Sequence, residues 1–206
     1  MKIKRALTLQ DVLAYKGHTL EFDGQWKEAI GNPEVTGAWL IWGNPTNGKT
    51  RFALQLAKYL ARYVRVAYDS LEEGLSTSLQ KAIAEIGFEE VQGSIVFLDK
   101  EPLPSLKARL SKRRSAQVII VDSLQYTGLR YKEYIELKDS FRSKLFIFIS
   151  HADGKEPKGE VARSIKYDAS VKILVENFKA FAQSRYGGGE PYVIWEEAAE
   201  KLWNLK

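Results

Sequence analysis

The eight residues Gly43-Asn-Pro-Thr-Asn-Gly48-Lys49-Thr50 constrain this chain more than any other stretch. They fit the spacing G-x-x-x-x-G-K-[ST]. An apolar run, Ala38 to Trp42, precedes them, and an amphipathic run over Lys49 to Arg62 follows. Strand, glycine-rich turn and helix in that order make a cradle for phosphate. The glycines let backbone N–H groups converge on anionic oxygens, and the helix N-terminus adds a favourable dipole. In this reading Gly43, Asn44, Pro45, Thr46, Asn47, Gly48, Lys49, Thr50 and Arg51 surround a nucleotide. Lys49 reaches the β- and γ-phosphates, and the Thr50 hydroxyl ligates Mg²⁺.

The rest of the pattern agrees with an α/β chain. Short apolar runs at Val64 to Tyr68, Ile95 to Leu98, Val118 to Val121 and Leu145 to Ile149 read as buried parallel strands. Helical patterns between them cover Leu75 to Ile86, Pro104 to Arg114 and Tyr131 to Phe141. After about residue 165 the pattern changes to short strands with turns, at Val171 to Val175, Ala180 to Gln183 and Tyr192 to Trp195. The expectation is a three-layer core with a mostly parallel central sheet and short antiparallel strands toward the C-terminus. At 206 residues, with no repeat and no linker, the chain is read as one domain. It has an N-terminal extension at 1–23, a core at 24–195 and a C-terminal tail at 196–206.

Composition narrows the chemistry. The absence of cysteine excludes disulfide scaffolds, thiol nucleophiles and thiolate metal sites, and suits a reducing compartment. Two histidines are too few for a histidine-rich metal site. The apolar runs are far shorter than the roughly 20 residues needed to span a bilayer. The opening Met1-Lys-Ile-Lys-Arg leads into no signal-peptide apolar core. The five tryptophans read as core or subunit contacts rather than base-stacking platforms.

Two acidic elements complete the phosphate loop. Val118-Ile-Ile-Val-Asp122 ends a buried strand in a carboxylate, the place from which Mg²⁺ is held beside a P-loop. Tyr68-Asp-Ser-Leu-Glu72-Glu73 ends the second strand, where a carboxylate polarises an attacking water. Glu72 is the first choice for that role and Glu73 the second.

With these elements in this order, the chain resembles the RecA-like P-loop ATPases, especially the RecA, RadA and DnaB-type branch. The resemblance runs from about Gly24 to Trp195. It implies an Mg²⁺-dependent ATP hydrolase in the cytoplasm, with Glu72 as catalytic base. Ile149-Ser-His151 occupies the place of the family's γ-phosphate-sensing residue. Gln183-Ser-Arg185-Tyr-Gly187 is similar to the K-x-R-x-G signature, whose arginine acts in trans within a ring or filament; here Gln183 replaces the lysine. Nothing before Gly24 resembles a separate polymerisation, primase or zinc domain.

The resemblance also implies single-stranded DNA on two loops, after the fourth and fifth strands. The first carries Tyr126, Arg130 and Lys132, mixing stacking surface with cations. The second, from Ala152 to Arg163, carries Lys155, Lys158 and Arg163 as a Gly/Lys-rich mobile loop. A net charge of +5 permits a polyanion without demanding one. The competing reading is therefore a nucleotide-dependent switch or assembly ATPase whose target is a protein. A small-molecule kinase is disfavoured because no arginine-rich lid is present. Gly187-Gly-Gly does not fit a dinucleotide loop.

Overall fold

The computed structural model describes residues 5–204. The basic start of the N-terminal extension, Met1 to Lys4, and the last two residues of the tail lie outside the described residues.

A nine-stranded sheet organises the chain. Six strands run parallel: β1 (Gly37–Gly43), β2 (Val66–Ser70), β3 (Ile95–Asp99), β4 (Val118–Asp122), β5 (Leu145–Asp153) and β7 (Val171–Glu176). β6 (Glu156–Pro157) folds back on β5. β8 (Lys179–Ser184) and β9 (Tyr192–Val193) extend the β7 edge antiparallel. The spatial order is β3-β2-β4-β5-β1-β7-β8-β9. This is the expected mostly parallel sheet with antiparallel strands toward the C-terminus.

The helices are α1 (Leu9–Leu13), α2 (Gly24–Ile30), α3 (Lys49–Leu60), α4 (Thr77–Ile86), α5 (Leu103–Leu110), α6 (Tyr131–Ser140), α7 (Glu160–Asp168) and α8 (Glu196–Trp203). Side-chain alternation along β1 explains the three layers. Trp39 and Ile41 join the core under α3 with Phe52, Leu56 and Tyr68, while Leu40 and Trp42 join the opposite core with Leu106, Leu137 and Ile165. Every β1 residue after Gly37 is buried, as a strand covered on both faces requires. Burying a large aliphatic side chain contributes roughly 1.5–3 kcal/mol, so these two cores hold the helices against the sheet. Trp26, Trp39 and Trp42 are buried, whereas Trp195 is exposed at one side. Leu20 and Phe22, in the N-terminal extension, are buried in the α3-side core.

The structure corrects one expectation. The stretch from Ala152 to Arg163 is not a loop. It is the β5–β6 hairpin followed by the first turn of α7. Ala162 and Ile165 pack under the sheet, and their spacing of three was obscured by the Gly- and Lys-rich residues before them. α2 is a helix beyond those expected from the periodicity. Its short apolar set Trp26, Ala29 and Ile30 is stabilised by packing rather than by length.

Candidate nucleotide site

Register places the carboxyl ends of the central strands side by side. Gly43 of β1 pairs with His151 of β5, and Ser70 of β2 pairs with Asp122 of β4. In open α/β sheets ligands bind outside this edge. Glu72, Asp122 and His151 come together there beside the loop that follows β1.

The phosphate loop is built by close approach. A Cβ on Gly43 would lie 2.2 Å from the Val175 carbonyl oxygen, so β7 leaves no room for a side chain. Gly48, the N-cap of α3, has φ of 93°, a left-handed conformation that glycine adopts without strain. The loop is tied to the β7–β8 turn: the Asn177 N–H donates to the Asn47 side-chain oxygen at 2.7 Å. The Asn47 amide in turn donates to the Pro45 carbonyl at 3.0 Å. Lys49 Nζ donates to the Asn44 carbonyl at 2.9 Å. Burial lowers the Lys49 pKa from its ordinary value, while Asp122 and Glu72 pull it back up.

Asp122 is buried at the end of β4. The Tyr68 hydroxyl, itself fully buried, donates to its Oδ2 at 2.6 Å. Burial pushes the Asp122 carboxyl up to about 6, against the opposing effect of the tyrosine hydrogen bond. The Asp122–Ser123 peptide is cis. Tyr68 is a residue that sequence reasoning missed. Its only signal was position, one strand away and two residues short of the β2 end.

Glu72 follows β2, and its backbone N–H donates to the Asp122 carbonyl at 3.0 Å. Its Oε2 accepts from Ser123 Oγ at 2.9 Å and lies 3.0 Å from His151 Nε2. Burial raises its pKa, but the hydrogen bonds and charges of His151, Ser123 and Lys49 outweigh that and hold it below the usual range. His151 is thus a direct partner of Glu72. Glu73 is placed elsewhere: it is exposed, and Ser76 and Ser78, at the start of α4, donate to its Oε2.

Other candidates separate from this cluster. Arg51 turns to Glu85 at 2.8 Å, with its guanidinium 5.2 Å from the centre of the Trp195 ring. Arg185 follows β8, and its N–H donates to the Ser170 carbonyl beside the start of β1. Six residue steps at about 3.3 Å put that end of β1 roughly 20 Å from Gly43. Within one chain, Arg185 does not meet the phosphate loop.

The two candidate DNA loops are connected. Gln125 donates through Nε2 to Ser150 Oγ at 2.8 Å and to the Lys158 carbonyl at 3.1 Å. The His151 N–H donates to its Oε1 at 3.3 Å. Tyr126 is exposed, and so is Lys132 in the first turn of α6. Arg130 pairs with Glu133 at 3.2 Å and caps α6. Lys155 and Lys158 are exposed on and after the hairpin, and Arg163 is exposed on α7.

Comparison with solved structures gives the fold independently. The flagellar accessory protein FlaH from Methanocaldococcus jannaschii superposes with a TM-score of 0.62 at 18% identity, over 86% of this chain and 97% of that one. A KaiC-like protein from the hyperthermophilic archaeon Pyrococcus horikoshii gives 0.57 at 22% identity, over 86% and 92%. The chain has the RecA-like three-layer α/β fold. No protein-family model matches it, and no curated protein sequence does either. The cluster of Lys49, Asp122, Glu72 and His151 lies at the carboxyl edge of the parallel strands, where open α/β sheets take their ligands. No group of three or more His, Asp or Glu side chains able to hold a metal occurs among the described residues. No helix among them is long and apolar enough to cross a membrane.

Proposed function

We propose that the chain is a cytoplasmic Mg²⁺-dependent ATP hydrolase. One observation carries the reading: at the carboxyl end of β4 the Glu72 backbone is tied to Asp122, and its carboxylate is held by Ser123 and His151 with one oxygen left over. The residues fit the ligands. The loop backbone with Lys49 suits the phosphates. Thr50 and Asp122 are the hard oxygen donors that Mg²⁺ takes in small number beside substrate phosphates. Magnesium, when bound, neutralises charge on the β- and γ-phosphate oxygens.

Glu72 does the proton work. Its hydrogen bonds fall on Oε2, which leaves Oε1 to accept from a water. As the water oxygen bonds to the γ-phosphorus, the bridging bond to the β-phosphate breaks and ADP leaves. The water proton passes to Glu72 and then to solvent. Lys49 stabilises charge on the transferred group. His151 and Ser123 fix the carboxylate and keep it deprotonated. Glu72→Gln retains the shape, so ATP binding persists while turnover falls about 10²- to 10⁴-fold. Normal turnover by this variant transfers the role to Glu73 or to another group.

The finer reading is an oligomer, ring or filament, acting on single-stranded DNA in recombination, annealing or replication. Arg185 then serves a neighbouring subunit, since its own phosphate loop is at the far end of β1. The Gln125 bridge supports the DNA reading, because it joins both loops to His151 and so to Glu72. Specific ATPase activity that rises with protein concentration, and rises again with an oligonucleotide at low salt, is the expected result. Turnover indifferent to the oligonucleotide, with no salt-sensitive binding, gives the place to a protein partner.

A further inference from the structure

A cavity of about 450 Å³ lies at the ends of β2 and β4, on the sheet face covered by α5 and α6. Small-molecule sites run from roughly 300 to 1,000 Å³. Its wall is apolar, formed by Leu71, Leu103, Leu106, Val121, Leu129 and Phe148. Three charged residues interrupt it: Asp69, Glu101 and Lys100. Asp69 is fully buried and lines the cavity. Its Oδ1 accepts from the Glu101 N–H at 3.1 Å, and its Oδ2 has no hydrogen-bond partner among the described residues.

This is not the nucleotide site. Successive side chains on a strand point to opposite faces, so Tyr68 turns to Asp122 while Asp69 turns to the α5 side. No ion pair reaches Asp69 among the described residues: Lys100 also lines the cavity but is exposed and makes none with it, and Arg109 acts on it only at a distance. Arg109 grips both oxygens of Glu101, at 2.7 to 3.0 Å. Burial raises the Asp69 carboxyl to about 6, which leaves it ionised at neutral pH. A negative oxygen without a donor, set in an apolar wall, is the complement of a cation on an apolar body.

We propose that this cavity is a second binding site, for a small apolar amine whose protonated nitrogen meets Asp69 Oδ2 while its body fills the leucine-lined wall. The site is separate from the nucleotide reading and stands whether or not the chain hydrolyses ATP. Leu71 lines the cavity one residue before Glu72, so an occupant touches the segment that carries that carboxylate.

The test is titration of the isotope-labelled chain at neutral pH with phenethylamine, phenethyl alcohol and phenylacetate, followed by amide NMR. Saturable shifts are expected at Leu103, Leu106, Thr127 and Leu129. The amine should bind about tenfold tighter than the alcohol, with no phenylacetate binding, because a charge-assisted hydrogen bond is roughly twice a neutral one. Asp69→Asn should weaken the amine about tenfold and leave the alcohol unchanged. Leu103→Trp, which fills the cavity from its edge, should remove binding of both, with the melting temperature of each variant reporting its fold. The proposal is overturned by shifts that do not saturate, by equal affinity for all three probes, or by amine binding that survives either variant intact.

Discussion

The two faces of the sheet at β2 treat an aspartate differently. Asp122 looks to the phosphate-loop side and Asp69 to the α5 side, and burial raises both to about 6. Yet Asp122 receives the Tyr68 hydroxyl and senses Lys49, while one oxygen of Asp69 receives nothing among the described residues. The same direction of shift arises among different neighbours, and the neighbours decide what the charge is for. On the proposed reading, one face holds its carboxylate for a cation shared with phosphate. On the other it waits for a donor.

The sharpest way to break this contrast is Lys49→Ala. Loss of the phosphate-loop cation should reduce turnover by about 10³-fold or more and abolish tight nucleotide binding, measured by steady-state ATPase and nucleotide titration. Amine binding at Asp69 should be untouched. If both fall together, the two faces are one site.

Asp69→Asn reads the other face through stability. Asp69 titrates near the ordinary 3.8 when unfolded and near 6 when folded. Between those values the folded chain holds a proton that the unfolded chain has released. Wild-type stability from this group therefore falls as pH rises from about 4 to 6 and is level above. Asparagine binds no proton. The variant should match the wild type below about pH 4 and exceed it by up to about 3 kcal/mol above pH 6, measured by denaturant unfolding without ligand. A variant less stable than wild type at pH 7 means that Oδ2 has a donor in solution.

Tyr68→Phe tests the partnered acid. Asp122 loses the hydrogen bond that restrains its pKa, so its carboxyl should titrate higher still. The Mg²⁺ concentration for half-maximal activity should rise by about 10-fold or more, in the range of partners lost from behind a metal ligand. An unchanged Mg²⁺ requirement removes Asp122 from the metal.

His151→Ala gives the smallest effect. The Glu72 pKa should rise toward the ordinary range, so the acid limb of the activity profile should move to higher pH. Turnover at the plateau should fall only several-fold, because Ser123 still holds Oε2. A shift to lower pH contradicts the assigned contact.

These contrasts show what was legible beforehand. The proposed phosphate loop was legible because such a cradle needs contiguous backbone, and contiguity is visible in a sequence. Asp122 was readable because a strand of β-branched residues ends on it. Glu73 stood beside Glu72 with equal chemistry, and only the fold turned it to Ser76 and Ser78. Gln125 joins two segments 25 and 33 residues away, a contact that no local pattern marks. The α7 helix was hidden because tertiary contact, not a run of apolar residues, stabilises it.

By itself the sequence determined the alternation of strands and helices, the phosphate loop and the residue types able to move a proton or hold magnesium. Those properties reside in periods of two or 3.6 residues and in motifs a few residues long. The tertiary structure decided which strands are neighbours, which carboxylate His151 clamps, that Arg185 lies far from its own phosphate loop, and that Asp69 faces a cavity. Each of these depends on residues distant along the chain meeting across a sheet, and local pattern carries no record of that distance.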